Sequence, residues 1–137
     1  MRLAYLAVAL GGFTGAVLRY LLSEWMATWH GFPAATLLIN TSGSLFLTWF
    51  YTYTMERFPI HPHLRLGIGT GLVGAFTTYS TYAVETWKLV DARALGMALA
   101  YATASMGLSL AAAGVGYRLA MRQSRLRWAG EGEGEAP

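Results

Sequence analysis

Gly74-Ala75-Phe76-Thr77-Thr78-Tyr79-Ser80-Thr81-Tyr82 is the stretch on which the fold turns. It lies inside Leu66 to Val84, a run without charge. At about 1.5 Å per helical residue, that run is long enough to cross a hydrocarbon core of roughly 30 Å. Yet four Ser/Thr hydroxyls and two tyrosines crowd its middle, and glycine beside paired threonines disfavours a helix there. This pattern predicts a broken helix. At membrane depth a break exposes carbonyls and N–H groups, which survive only when buried in protein or facing a cavity. Such breaks bind ions: carbonyls hold cations, while N–H groups, hydroxyls and carboxamides hold anions. The plainer alternative is a Gly/Thr packing face whose hydroxyls bond back to their own helix.

Three further runs flank this one. Leu3 to Leu22 is interrupted only by Arg19, and both Ala34 to Met55 and Ala94 to Gly116 are uncharged. Of 137 residues, 55% are apolar and 12% charged. That is about half the charge of an ordinary soluble domain, too little for a polar exterior, so lipid is the expected solvent. The net charge of +3 comes from arginines outside the apolar runs, which argues against nucleic acid as a partner. The absence of cysteine excludes disulfides and thiolate metal sites. The first run is too long for a signal-peptide core and has only Arg2 before it, so it reads as a retained helix. The expectation is an all-α membrane protein with four transmembrane helices, the third of them broken. Residues 1–122 form its membrane domain, and 123–137 form a polar tail that turns from basic to Gly/Glu and ends in disorder.

The connections are read as short loops. Glu24 to Pro33 holds Trp25, Trp29 and His30, which suit a membrane interface. Glu56 to Arg65 holds two prolines with His61 and His63, and Glu85 to Arg93 holds Trp87, Lys88 and Asp91. The three histidines lack carboxylate or thiolate neighbours and read as loop residues rather than metal ligands. Arg2, Arg57, Arg65, Arg118, Arg122, Arg125 and Arg127 lie with the termini and the second loop, against Lys88 and Arg93 in the third. The positive-inside rule then puts both termini in the cytoplasm.

Polar residues inside the runs carry the chemistry. Asn40, Thr41, Ser42 and Ser44 surround Gly43, and a carboxamide in hydrocarbon costs several kcal/mol or so without partners. Asn40 is either glue between helices or a group facing a path. Tyr101, Ser105 and Ser109 repeat every four residues and form one stripe on a helix of small residues. Gly11-x-x-x-Gly15 and Gly67-x-x-x-Gly71 permit close helix contacts. Arg19 and Glu85 sit near span ends. With no acid in mid-span, a carboxylate proton relay has no candidate, and no nucleophile–base pair supports an enzyme.

Three segments together resemble the CrcB/Fluc family of fluoride channels: Gly11-Gly12-Phe13-Thr14-Gly15-Ala16-Val17-Leu18-Arg19-Tyr20, Thr36-Leu37-Leu38-Ile39-Asn40-Thr41-Ser42-Gly43-Ser44, and the Gly74 to Tyr82 stretch. They occur in the family's order, and the similarity covers Met1 to about Arg122. The resemblance implies an antiparallel dimer, as a homodimer or with an oppositely oriented paralogue. It further implies two fluoride pores and a central sodium ion in the inner or plasma membrane. It assigns the sodium's carbonyl ligands to Gly74 and Thr77. Asn40, Tyr79, Tyr82, Ser80, Thr81, Tyr101, Ser105 and Ser109 would line the pores, with Arg19 and Glu85 as structural or vestibule residues. The family's pore aromatics are typically phenylalanine, and here both are tyrosine. Two rival classes are set against this one. A four-helix drug antiporter would need an acid in the first helix, which Leu3 to Leu22 lacks. A structural subunit would use the polar residues as glue.

Overall fold

The computed structural model describes residues 2–26, 31–56, 58 and 60–132. Trp29, His30, Arg57 and residues 133–137 of the tail lie outside this description. Every element is helical, and no strand occurs among the described residues. The helices are α1 (Arg2–Met26), α2 (Ala34–Glu56), α3 (Pro62–Leu66), a π-helical stretch (Gly67–Val73), α4 (Gly74–Phe76), α5 (Tyr79–Asp91) and α6 (Leu95–Gly132). By length and composition, Arg2–Met26 and Leu95–Gln123 could each cross a membrane. Helix α2 is comparable in length and carries no charge from Ala34 to Met55, with Asn40 and several Thr, Ser and Tyr residues set among its apolar ones.

Several expected loops are partly helix. Pro62 opens α3, where its missing N–H goes unneeded, and the His61 side chain accepts the His63 N–H at 3.3 Å. Most of the expected third loop belongs to α5, which runs to Asp91 before Arg93 turns the chain at φ 57°. Arg122 is no element boundary, because α6 continues to Gly132 through Arg, Gln and Ala, all good helix formers.

The two glycine motifs pack on one another. A Cβ at Gly11 would fall on the Gly67 carbonyl oxygen, and one at Gly15 on that of Leu72; one at Gly71 would crowd the Val8 carbonyl, less tightly. Helix α1 thus rides on the π-helical stretch backbone to backbone. Three glycines within Gly67–Val73 remove the side chains that would resist the wider π winding. On the other side, α2 packs along α6, with Gly116 against the Leu45 carbonyl and Trp49 Nε1 donating to Gln123 Oε1 at 2.9 Å. Arg65 Nη2 donates to the Thr54 carbonyl at 2.8 Å, near the end of α2, where a cation is favoured.

Candidate functional site: a helix break beside a hydroxyl-lined cleft

The predicted break falls at Thr77 and Thr78. Both are extended, with φ −76°, ψ 154° and φ −149°, ψ 119°. In a continuous helix the Thr78 N–H would bond the Gly74 carbonyl, and the Thr81 N–H that of Thr77. Side chains take both donors instead. Asn40 Oδ1 accepts the Thr78 N–H at 2.8 Å, and Thr78 Oγ1 accepts the Thr81 N–H at 3.2 Å as the N-cap of α5. Asn40 also donates from Nδ2 to the Thr78 carbonyl at 2.9 Å, so its amide grips one residue at both ends. A Cβ at Gly43 would strike Thr77 Cγ2, so glycine is what lets the break lie against α2.

Beside the break opens a cleft of about 330 Å³. Asn40, Tyr79, Tyr82, Ser105 and Ser109 all line it. The hydroxyl oxygens of Ser105 and Ser109 are buried and make no well-formed hydrogen bond among the described residues, Ser105 coming nearest to one at the Tyr101 hydroxyl. Such a group costs about 1–3 kcal/mol when left unsatisfied, so this wall carries hydroxyls with hydrogen-bonding capacity to spare. Tyr79 stands at the lip, 80% exposed. The Tyr82 ring lies 5.7 Å from that of Tyr79 and 5.5 Å from that of Tyr101.

The row of rings leads to Glu85. The hydroxyl of fully buried Tyr101 donates to Glu85 Oε2 at 2.7 Å, and buried Thr36 donates from Oγ1 to Glu85 Oε1 at 3.0 Å. Glu85, Thr36, Thr81, Ser23 and Lys88 line a second cleft of about 510 Å³. Tyr101, expected to line a pore, lines neither cleft itself: its ring meets Tyr82 of the first and its hydroxyl meets Glu85 of the second.

Of the sequence-derived pore residues, five meet in the first cleft and Thr81 lines the second. Ser80 lines neither; it is exposed, with Oγ 3.3 Å from Thr78 Oγ1. Arg19 lies partly exposed on α1, outside both clefts. Sequence reasoning missed two contributors. Thr36 holds Glu85, and Thr78 anchors the break with its N–H, carbonyl and hydroxyl. A threonine pair within a glycine-rich polar run was the signal for the second; a threonine in the opening turn of α2 gave none for the first.

A family model described as CrcB-like protein, Camphor Resistance (CrcB), matches residues 6–117. The chain belongs to the CrcB-like family. The fluoride-specific ion channel FluC 1 of Moorella thermoacetica is 48% identical over 97 residues, covering 69% of each chain. The fluoride-specific ion channel FluC of Oceanobacillus iheyensis is 47% identical over 87 residues, which is 64% of this chain and 67% of that one. Its namesake from Aquifex aeolicus is 42% identical over 86 residues, or 61% of this chain and 69% of its own. The CrcB-like match extends from α1 into α6 and contains every residue of both clefts.

Proposed function

We propose that this chain is one half of a fluoride-selective channel through which fluoride leaves the cell passively across the inner or plasma membrane. The observation that carries the reading is the cleft where Asn40, two tyrosine rings and two unpartnered serine hydroxyls converge beside a broken helix. Relatives named as fluoride-specific channels agree with it. In this reading α1, α2, the broken rod from Pro62 to Asp91 and α6 are the four transmembrane segments.

Fluoride is small and holds water strongly, so a path must replace that shell with close donors. Ser105 and Ser109 offer O–H groups not committed elsewhere. Asn40 uses one amide hydrogen on Thr78 and keeps a second for the cleft. The edges of aromatic rings are electropositive, and Tyr79 and Tyr82 bring two rings to the same space. The Glu85 carboxylate, which would oppose an anion, already accepts from Tyr101 and Thr36. Among the described residues no basic side chain lines the first cleft, so binding stays weak enough for an ion to leave.

One chain leaves the cleft open at Tyr79, and Gly74 is exposed, with nothing among the described residues within 4 Å of where a Cβ would stand. A second subunit in antiparallel orientation, a copy or an oppositely biased paralogue, would close both, giving two pores per dimer. At the axis the carbonyls of Gly74 and Thr77 lack their helical donors, and such oxygens fit a hard cation. Gly74 and Thr77 of each subunit would hold a sodium ion there. When bound, it would supply a buried positive charge to both pores.

The test is efflux from fluoride-loaded liposomes, read with a fluoride electrode. Protein-dependent release with a counter-ion ionophore present is expected. Release no faster than from protein-free liposomes would overturn the reading.

A further inference from the structure

Two carbonyls in this chain could serve a cation at the break, and each has lost its helical donor to a particular side chain. The Thr78 N–H, due to Gly74, is held by Asn40 Oδ1 at 2.8 Å. The Thr81 N–H, due to Thr77, is held by Thr78 Oγ1 at 3.2 Å. Asn40 lies on α2, and its Nδ2 returns a bond to the Thr78 carbonyl at 2.9 Å, so the grip fixes the whole Thr78 residue. Thr78 is 7% exposed, and its hydroxyl also donates to Thr81 Oγ1 at 3.0 Å, which fixes the rotamer that accepts the N–H.

We infer that Asn40 and Thr78 are positioning residues for the cation, keeping the Gly74 and Thr77 carbonyls unpaired by capturing the N–H groups that would otherwise quench them. This rests on the sodium reading above and adds two residues to it, neither of them a ligand. Without the Asn40 carboxamide, the nearest helical acceptor for the Thr78 N–H is the Gly74 carbonyl. The break would begin to heal and one ligand would turn inward. Without the Thr78 hydroxyl, the Thr81 N–H would turn to Thr77 in the same way. Asn40 also lines the anion cleft, so a single side chain ties the cation cage to the pore.

The experiment is thermal unfolding of the purified assembly in detergent. Sodium chloride is titrated against N-methyl-D-glucamine chloride at constant ionic strength, and flux is not needed for the readout. The variants are Asn40→Ala, Thr78→Val, Thr78→Ser, and Gly116→Ala as a control at the distant contact between α2 and α6. Sodium should stabilise the native protein. Asn40→Ala and Thr78→Val should each need about ten times more sodium for half the effect, equivalent to roughly 1.4 kcal/mol. Thr78→Ser, which keeps the hydroxyl, should match the native protein. Gly116→Ala should lower the unfolding temperature without moving the sodium dependence. If Asn40→Ala does not assemble, Thr78→Val with its Thr78→Ser rescue carries the same test. Unchanged sodium half-saturation in the Ala and Val variants would overturn the inference while leaving the sodium reading intact. A native protein indifferent to sodium would overturn both.

Discussion

Ser105 presents a buried hydroxyl that makes no well-formed hydrogen bond among the described residues, with the Tyr101 hydroxyl its nearest polar neighbour, on a wall shared with Ser109. Removing it should therefore help the fold and harm the path. Ser105→Ala should unfold at the same or a higher temperature, because a group costing about 1–3 kcal/mol has gone. The same preparation should pass fluoride more slowly. Lower stability with full flux would make Ser105 a packing residue instead. The four-residue spacing of Tyr101, Ser105 and Ser109 was legible in the sequence, and it did bring the two serines onto one wall. Their lack of partners was not legible, since a serine in a helix ordinarily bonds the carbonyl four residues back, as Ser42 does to Leu38. Asn40 was visible as a costly polar group; it bonds a neighbouring backbone, as glue between helices would, and it also lines the cleft. The tyrosine hydroxyls at 79 and 82 make no hydrogen bond within the described chain, so the rings rather than the hydroxyls are what this pair contributes to the protomer.

Between elements, backbone contact at glycine does much of the work. Gly15→Val would drive a branched side chain into the Leu72 carbonyl, and overpacking of this kind typically costs about 1–3 kcal/mol. A lowered unfolding temperature in detergent is expected, whereas Gly12→Ala, whose new Cβ would lie 4.0 Å from the Gly71 carbonyl oxygen, should behave as the native protein. Equal stability of the two variants would contradict this packing. The glycine spacings announced close approach without naming the partner, and the two motifs turned out to face each other. The break was legible because glycine and paired threonines are poor helix formers at that density. The π-helical winding of Gly67–Val73 was not, since seven residues with three glycines are too few to separate its period from that of an α-helix. Helix ends were misjudged at α5 and α6 for one reason: hydropathy marks where lipid gives way to water, whereas charged residues such as Lys88, Arg118 and Arg122 continue a helix well.

For the whole molecule, orientation and assembly follow from charge and from the open faces. The arginine distribution predicts that most copies place both termini in the cytoplasm. With no native cysteine, a single engineered cysteine labelled from either side of the membrane reads this directly. Labelling from one side would require an oppositely biased partner for an antiparallel pair, and equal labelling from both sides would contradict the charge rule and give a homodimer. Helix α1 exposes Leu6, Leu10 and Phe13, each over half accessible, a surface suited to lipid or to a second subunit. The central claim is a narrow, donor-lined path that distinguishes halides by size and hydration. Its most direct test is the release of fluoride and chloride from liposomes holding both ions and the same purified protein, followed with two ion-selective electrodes. Fluoride should leave far faster than chloride, with chloride close to the protein-free background; release of both halides at similar rates would contradict the account.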